Sequence, residues 1–588
     1  MYRFCRAGVR ITGPAAGRRP AAAGAAHRRA AAGKHIRRLF LAAVLAAAAL
    51  AGPGPASGAG DMGALAAAMS EHLVCYPLDL LSHEKQRIAV SSRDLCLASV
   101  YHDTGLTPLW VTPEGPGKKA GIVLKFLLEA EAEGLDPENY EAGQIAELFG
   151  ARDPRSLARL DTLLTFNLIK YVHDVSRGQI RPRQEAPAQL APATQVDFEP
   201  QATIEKALGA PDLAAYLRSL PPAHRHYRAL KRALQTYRDL SAAGGWAAVP
   251  AGASIHPGDT DERMFAVVRR LAVTGDLAAD TPPVPFYDPL LEPGIKRFQA
   301  RHGLDPDGVV GRNTLAAMNL PVTDRIRQII INMTRWRWQE QDLGRKYILV
   351  NIANFDLTAF DDGREAFNFP VIVGKLQHQT PIFSDRIIYV EINPYWNVPP
   401  SIAVNEELPK LRRDPSYLVK RHIRLFSSWS GDAYEIDSQS VDWQGVSPRR
   451  MARYKLRQDP GPWNALGRIK FVFPNHYDVY LHDTPTRNLF SRIKRDFSHG
   501  CIRVSDPAGL GAFVLTQGTA VWSPDEIRAI IDEGRRTVIQ LPEALPVHIT
   551  YQTSWVDKNG IIYFNRDIYG RDDKLLRAMF SESIAMAE

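Results

Sequence analysis

One cysteine near the C-terminus has neighbours that suit nucleophilic chemistry. The stretch "SHGCIRV", residues 498–504, places Cys501 directly after a histidine and a glycine. The chain has only four cysteines in 588 residues, and these neighbours favour a reactive thiol over a buried, inert one. The thiolate is the nucleophilic form, and at the ordinary thiol pKa little of it exists near neutral pH. Cys501 therefore needs a base or a positive charge beside it.

Two histidines are candidates for that base. His482 ends the strand-like segment "DVYLH", 19 positions before Cys501, and reaches the thiol only where the two strands lie side by side. His499 lies two positions before Cys501, and in an extended backbone residues two apart point the same way. We assign His482 as the base and His499 as local support. The alternative for His482 is a strand-end histidine that bonds to the backbone.

Two further neighbours suit acyl transfer. Gly500 lets the backbone approach a substrate closely. The Cys501 N–H, with a neighbouring amide, could form an oxyanion hole for a tetrahedral intermediate. Arg503 carries a fork of donors that fits a substrate carboxylate, and the alternative is a structural ion pair.

The same residue types also occur in zinc sites. His482, His499 and Cys501 are suitable ligands, but neither a CxxC nor an HExxH pattern accompanies them. We therefore favour a nucleophilic thiol over a metal site, and a three-ligand catalytic zinc site is the alternative that the spacing leaves open.

Strand patterns dominate the region that contains these residues. The segments "KYILVNIANFDLTAF", "RIIYVEINPYWNVP" and "RIKFVFP" predict a β-rich domain over residues 345–540. A charged, helix-prone segment, residues 403–456, interrupts the strands. Because a connection between strands needs only a few residues, we interpret this segment as a subdomain that caps the site. The alternative is a floppy surface insertion.

Helical patterns dominate the first half of the chain. Residues 61–245 are predicted to be helical, with Ile122, Phe126, Leu127 and Ala130 on one face of a helix that stops at Gly134. A second long helix is predicted to end at Gly178.

A smaller helical unit follows a linker. Residues 255–320 predict three helices, the first capped by Asp259-Thr260 and running through Val273. The fold class is therefore multidomain α+β, and the tail, residues 541–588, is expected to pack on the first helical domain.

The net charge of +8 arises at the N-terminus. Residues 1–58 hold ten Lys and Arg and no acidic residue, which leaves about −2 for the rest of the chain and no case for a nucleic-acid partner. An uncharged apolar run, residues 39–51, is followed by "GPGPASGAG", the pattern of a secretory signal. A retained membrane anchor is the alternative, although the run is shorter than the roughly 20 residues of a full span.

Export implies an oxidising compartment. Cys75 and Cys96 are 21 positions apart and could pair, while Cys5 lies in the predicted signal. Cys501 is then the unpaired thiol.

The combined motifs resemble the YkuD-type L,D-transpeptidase family. "LHDTP" at 481–485 and "SHGCIRV" at 498–504 reproduce its pattern of a histidine, a gap of about 15 residues and Ser-His-Gly-Cys. The common form has Asn where this chain has Arg503. "INPYWNVP", "GPWNALG" and the tail resemble the large periplasmic Gram-negative subtype, which has a scaffold domain and a capping subdomain. Residues 255–320 resemble a three-helix peptidoglycan-binding module. The matching residues are Ile295, Phe298, Gln299, His302, Gly303, Leu304, Asp307, Gly308, Gly311, Thr314 and Leu315. The alternative is that these residues only shape a turn and a core.

The resemblance implies a reaction. Cys501 would attack the carbonyl between meso-diaminopimelate and the terminal D-Ala of a tetrapeptide stem and form a thioester. A side-chain amine of a second stem would then give a 3→3 cross-link, with His482 managing the proton. The family also forms thioesters with carbapenems. The partners would be peptidoglycan stem peptides and glycan, in the periplasm, with other wall-synthesis enzymes as further candidates. The substrate-binding residues would be Arg503, Ser498, Tyr480, Asn475 and Trp396.

Two other readings remain open. The acyl-enzyme could end with water, as in an L,D-carboxypeptidase, or attach or detach a wall protein. Alternatively, the chain is a non-catalytic structural protein that binds the wall.

Overall fold

The computed structural model describes residues 62–72, 97–102, 105–180 and 198–585. The predicted signal or anchor, residues 1–58, and the predicted Cys75–Cys96 pair lie outside these ranges. Within them, none of the helices combines the length and the apolar character that crossing a membrane requires.

The N-terminal half of the described chain is helical, as predicted. Pro154–Arg177 is its longest helix; the Asp153 side chain caps it by accepting from the Ser156 N–H at 2.9 Å, and Gly178 follows it with φ +84°. The helices are α1 Met62–His72, α2 Leu97–His102, α3 Lys118–Leu128, α4 Ala142–Leu148, α5 Pro154–Arg177, α6 Pro200–Gly209, α7 Leu213–Ser219 and α8 Arg225–Ala242, with a hairpin of β1 Val111–Thr112 and β2 Gly115–Pro116.

The face of α3 differs in part from the prediction. Leu127 and Ala130 are buried as expected, but Ile122 and Phe126 are only half-buried. Helix α3 stops at Leu128, and a 3₁₀ turn, Ala130–Glu133, carries the chain to Gly134 in the left-handed region.

The central unit contains α9 Met264–Val273, α10 Glu292–Arg301 and α11 Arg312–Asn319 around its own apolar core. The predicted cap at Asp259-Thr260 is wrong, because α9 begins only at Met264. Asp259 instead accepts from the His256 N–H at 2.7 Å, and Thr260 bridges to Phe286. These contacts hold the segment outside the helix. Helix α12 Val322–Arg337 follows the unit.

The C-terminal half is built on a nine-stranded sheet. Its order is β13-β5-β14-β12-β11-β6-β15-β3-β4, and an additional pairing of β4 with β5 closes it on itself. Its inner face forms a large apolar core with the helices that follow Cys501. The strands are β3 Lys346–Asn351, β4 Asp356–Asp361, β5 Arg364–Gly374, β6 Phe383–Ile392, β11 Ile469–Val472, β12 Leu481–His482, β13 Asp496–Ser498, β14 Ile502–Val504 and β15 Thr537–Thr550. The predicted mixed α+β fold is confirmed.

The segment between β6 and β11 forms a separate four-stranded sheet of order β7-β10-β8-β9, with its own apolar core around Trp443 and Leu411. Its elements are β7 Trp396–Asn397, α13 Pro400–Ile402, the π-helix Ala403–Glu407, α14 Leu408–Arg413, α15 Tyr417–Lys420, β8 Ile423–Phe426, β9 Glu435–Ile436, α16 Pro448–Arg453 and β10 Lys455–Gln458. We call this segment, residues 396–458, the insertion.

The C-terminal part contains α17 Pro507–Leu515, α18 Pro524–Asp532, the hairpin of β16 Ser554–Val556 with β17 Ile562–Phe564, and α19 Arg571–Ala585. The side chains of Asp506 and Ser523 cap α17 and α18 by accepting from the N–H groups of Gly509 and Glu526. Strand β15 runs to Thr550 in the main sheet, past the predicted tail boundary at 541, because it pairs with both β6 and β3. Beyond β15, β16 packs on α8 and α12.

Candidate active site

Strand pairing brings the predicted chemical groups onto one face of the sheet. Strand β12 runs parallel to β14, with Leu481 opposite Ile502 and His482 opposite Arg503. The strand of His482 therefore lies beside the strand that Cys501 leads into, as the assignment of His482 requires. On the other side of β12, Lys470 of β11 lies opposite His482. Lys470, His482 and Arg503 thus share the face away from the apolar core.

The Cys501 thiol lies half-buried at the edge of this face. Its Sγ lies 3.7 Å from the carbonyl oxygen of Asp478. Burial raises the pKa of the thiol, while hydrogen bonding by Tyr480 and the positive charges of Lys470 and Arg503 act to lower it. Burial prevails, so the resting thiol is protonated, and the groups that favour the thiolate already surround it.

His482 is buried and held in one tautomer. Its Nδ1 lies 2.6 Å from the carbonyl oxygen of Asp483. Because a carbonyl only accepts, Nδ1 carries the proton in this contact, and the backbone of Leu466 is a second hydrogen-bond partner of the ring. Burial, aided by the charge of Arg503, lowers the pKa of His482 to about 3. The imidazole is therefore neutral near neutral pH and able to accept a proton.

The turn before the nucleophile depends on Gly500. Its φ of +114° lies in a region that side-chain-bearing residues rarely adopt. The Gly500 N–H donates to the Ser498 hydroxyl at 3.1 Å, and that hydroxyl donates to the Cys501 carbonyl at 2.5 Å. Ser498 is buried and holds the turn; its predicted substrate contact stays a prediction.

The far side of the turn is held by residues that the sequence motifs do not include. The Thr380 hydroxyl donates to the Gly500 carbonyl at 2.8 Å. The Tyr569 hydroxyl donates to the Gly374 carbonyl and accepts from the Thr380 N–H at 3.3 Å. Thr380 lies 120 residues from Gly500 in the sequence, and Tyr569 lies 189 residues from Thr380. No local sequence pattern therefore points to either contact.

The contacts of His499 differ from the predicted local support of the Cys501 thiol. Its Nε2 lies 2.5 Å from Glu406 Oε1 and 3.4 Å from Lys375 Nζ, and its ring lies 5.0 Å from that of His378. The rule that residues two apart share a face applies to extended backbone, and the positive φ of Gly500 interrupts it. His499 therefore connects the catalytic turn to the insertion.

Arg503 keeps part of its guanidinium free. Its Nε is buried and has no hydrogen-bond partner in the described part of the chain. Burial lowers the pKa of the Arg503 guanidinium, and the neighbouring Cys501 opposes that shift. A free fork beside the thiol is consistent with the predicted carboxylate contact.

Two other predicted substrate residues occupy structural positions. The Asn475 amide donates to the carbonyls of Phe473 and Val479 at 2.8 and 2.7 Å and shapes the loop that leads to Tyr480. Trp396 is half-buried and packs against the apolar core of the insertion. Their substrate roles remain predictions.

Across residues 62–72, 97–102, 105–180 and 198–585, no three His, Cys, Asp or Glu side chains are grouped so that they could hold a metal ion.

Three family models match separate parts of the chain. Residues 345–523 match "L,D-transpeptidase catalytic domain", residues 96–234 match "Scaffold domain", and residues 261–318 match "Putative peptidoglycan binding domain". The match to the catalytic model includes His482 and Cys501.

A curated protein of Haemophilus influenzae, named "Putative L,D-transpeptidase", is 32% identical over 228 residues. The match covers 39% of this chain and 45% of that protein, so it spans less than half of the relative's length.

Solved structures of L,D-transpeptidases are more distant. The protein from Stackebrandtia nassauensis is 14% identical with a TM-score of 0.20, over 52% of this chain and 96% of that one. The structure from Xylanimonas cellulosilytica is 16% identical with a TM-score of 0.16, over 51% of this chain and 99% of that one.

The family models and the curated relative define the class: a multidomain protein whose β-rich part is an L,D-transpeptidase catalytic domain, accompanied by scaffold and peptidoglycan-binding domains. Residues 345–523 are thus similar to the catalytic domain of the L,D-transpeptidase family.

Proposed function

We propose that this protein forms 3→3 cross-links in peptidoglycan through a thioester on Cys501. The observation that supports this most directly is the pairing of β12 with β14, which places the buried neutral His482 and Arg503 side by side at the strand that follows Cys501. A nucleophile, a base and a cation on one face meet the needs of acyl transfer.

The first half-reaction is acylation by a tetrapeptide stem. The thiol proton passes to His482 Nε2 while Sγ attacks the carbonyl between meso-diaminopimelate and D-Ala. The C–N bond breaks, the leaving amine takes the proton from His482, and D-Ala departs. The Cys501 N–H, at the turn fixed by Gly500, is the proposed donor to the oxyanion.

The second half-reaction is transfer to an amine. The side-chain amine of a second stem attacks the thioester carbonyl, and His482 accepts its proton. The C–S bond breaks, the new amide forms, and the proton returns to the sulfur. The enzyme is regenerated without an added cofactor.

The pKa shifts of Cys501 and His482 determine the stage of the reaction at which the thiolate forms. The raised pKa of Cys501 and the lowered pKa of His482 both favour a neutral pair at rest. The thiolate therefore forms as substrate reacts, where Lys470, Tyr480 and Arg503 stabilise it. A neutral resting thiol also resists oxidation outside the cytoplasm.

The insertion is proposed to cap the site, in line with the predicted capping segment at residues 403–456. Glu406 in its π-helix contacts His499 next to the catalytic turn. Excluding water would favour amine transfer over hydrolysis of the thioester. Replacing residues 403–456 with a short Gly/Ser linker should therefore raise the ratio of hydrolysed to cross-linked product. An unchanged ratio in a folded variant would contradict the capping role.

The remaining domains fit the same proposal. The peptidoglycan-binding and catalytic domains point to peptidoglycan as substrate and to a place outside the cytoplasm. We propose a periplasmic protein with a signal or inner-membrane anchor at 1–58, a scaffold at 61–245, a wall-binding module at 255–320, a catalytic domain at 345–540 and a tail at 541–588. Roles in wall biosynthesis and cell shape, beside other wall enzymes, follow from that placement.

Product analysis tests the proposal. Purified protein is incubated with tetrapeptide-rich muropeptides, and the products are identified by mass spectrometry. Cross-linked dimers joined 3→3, with release of D-Ala, are expected. Tripeptide stems without dimers would instead indicate a carboxypeptidase, and an unchanged substrate with retained wall binding would indicate a structural protein.

A further inference from the structure

A cavity lies on the outside of the main sheet, between the catalytic domain and the helices before it. Its volume is about 220 Å³. It is separate from the Cys501 face, because its walls come from β3, β4, β5, α8, α12 and the start of the tail. The lining residues with the clearest roles are Trp336, Asn351, Gln552 and Trp555, with Arg225 and Lys558 at the opening.

The cavity has a buried floor and an exposed rim. Trp336, Asn351 and Gln552 on the floor are buried, while Glu365 and Lys558 on the rim are exposed. A ligand from solvent can therefore enter and lose most of its hydration at the floor.

Buried polar groups on the floor have unmet hydrogen bonds. Gln552 is 2% exposed, and neither its Nε2 nor its Oε1 has a partner among the described residues. Trp336 is also 2% exposed, and its indole Nε1 has no hydrogen-bond partner among the described residues. The same is true of His226 Nε2 and of the indole Nε1 of Trp555. Burying such groups without partners costs free energy. Their concentration around one cavity indicates a polar occupant.

Aromatic rings form rigid walls around these groups. Trp336 stacks on His226 with ring centroids 4.9 Å apart, and Trp555 stacks on Tyr563 at 4.3 Å. Each stack fixes the orientation of an indole that lines the cavity. Flat apolar walls next to amide and indole donors suit a ring with an apolar face and polar edges.

The charge around the cavity is close to balanced. Asp356, Glu365 and Asp557 carry negative charge, and Arg225 and Lys558 carry positive charge. This mixture favours a neutral ligand over a phosphate or a peptide with free carboxylates.

We propose that this cavity binds one neutral saccharide ring of the N-acetylhexosamine class. The primary amide of Gln552 offers one donor and one acceptor, which an acetamido group complements with its carbonyl and its N–H. Ring hydroxyls would meet the indole N–H groups of Trp336 and Trp555. The site goes beyond the proposed function, since it involves none of the residues that act at Cys501.

The test uses full-length protein with Cys501→Ala, so that binding is measured without reaction. N-acetylglucosamine and its β-1,4-linked trimer are titrated by calorimetry and by tryptophan fluorescence. Saturable binding is expected, and Gln552→Leu should weaken it at least about tenfold, because one donor and one acceptor are lost. The control Gln235→Leu makes the same chemical change on the exposed face of α8 and should leave the affinity unchanged.

The same variants separate this cavity from binding at the peptidoglycan-binding module. Binding at the module would be insensitive to Gln552→Leu, so equal affinity in that variant would overturn the proposal. Absence of saturable binding up to about 20 mM would also overturn it, as would binding of the dipeptide D-Ala-D-Ala in place of the saccharide. If Gln552→Leu does not fold, Trp555→Phe keeps an aromatic ring while it removes the indole N–H together with part of the ring surface, and at least about threefold weaker binding is expected.

Discussion

Two glycine-containing turns use their polar groups in opposite ways. One lies in the peptidoglycan-binding module, residues 255–320, and the other lies before Cys501. In the module, Gln299 is 1% exposed and fully bonded. Its amide donates to Asp307 Oδ1, the Val309 carbonyl and Thr314 Oγ1 at 2.8 to 3.1 Å, and its carbonyl accepts from the Gly308 N–H at 2.9 Å. Every hydrogen-bonding group of the Gln299 amide is used inside the fold.

The catalytic turn fixes its backbone but leaves its chemical groups available. Ser498 and Thr380 bond the backbone of Gly500 and Cys501. The thiol, by contrast, lies 3.7 Å from the Asp478 carbonyl and hydrogen-bonds Tyr480 of the site itself, and Arg503 Nε has no partner in the described chain.

The difference teaches how to interpret a recognisable motif. Gln299, Asp307, Gly308 and Thr314 helped to identify the module, yet they satisfy one another, so they stabilise its turn. A ligand of the module must contact other side chains. Cys501 and Arg503 also belong to a motif, but their free groups face the site and are available for chemistry.

The largest expected effect is that of Cys501→Ala. Removing the nucleophile should lower formation of 3→3 product at least about 10³-fold. The fold should stay intact, because alanine is only one sulfur atom smaller and the turn is held by backbone contacts of Ser498 and Thr380. Mass spectrometry of muropeptides measures the 3→3 product, and a thermal melt measures the stability of the fold. Cys501→Ser is the conservative control and should also be inactive. Substantial 3→3 product from the alanine variant would contradict the assignment of Cys501 as the nucleophile, and with it the difference between the two turns.

His482→Gln should come next. Loss of the base should slow acylation about 10²- to 10³-fold with little effect on substrate affinity. Thioester formation with a carbapenem, followed by intact-protein mass spectrometry, gives the rate. His499→Gln is the comparison and should change the rate much less, because His499 contacts Glu406. Equal losses in the two variants would contradict the assignment of His482.

Gln299→Ala tests the structural side of the comparison. All hydrogen bonds of this buried amide are lost, so the module should be destabilised by about 2–3 kcal/mol. Denaturant unfolding measures this, and acylation of Cys501 should be unchanged under native conditions. The control Gln235→Ala, at an exposed glutamine, should cost almost nothing. A stable Gln299→Ala protein that loses wall binding would show that Gln299 contacts ligand.

Glu406→Gln should have a small effect on access to the thiol. Glu406 and His499 are partly exposed, so their contact contributes little free energy. Modification of Cys501 by a bulky thiol reagent should become about threefold faster. Glu435→Gln is the control. It also removes one negative charge from the insertion, but Glu435 pairs with Arg424 of the insertion itself, so the rate of modification should not change. Equal reactivity in all three proteins would show that the contact with His499 does not hold the insertion closed.

The smallest expected effect is that of pH between 5 and 8. The folded pKa of His482 is about 3, below its ordinary value, so the imidazole stays neutral until pH falls toward 3. The pKa of Cys501 is raised, so the pair keeps one proton across the range. The rate of acylation by a carbapenem should therefore change less than about twofold. An inflection near pH 6.5 would mean that a histidine of ordinary pKa controls the reaction.

Much of the fold and part of the site could be predicted from local patterns. Gly178 ends α5, and Asp506 and Ser523 cap the helices after Cys501, because caps depend on a few neighbouring residues. The cap at Asp259 failed because a bridge from Thr260 to Phe286 holds that segment outside the helix.

The sequence by itself determined the strand that ends at His482, the glycine turn and the thiol that follows it, since period and residue type define them locally. Only the tertiary structure decided the neighbours of that turn. Thr380, Tyr569 and Glu406 reach it from distant parts of the chain through sheet closure, the tail and the insertion. It also decided the burial that raises the pKa of Cys501 and lowers that of His482. Both outcomes depend on how distant elements pack, which no local spacing encodes.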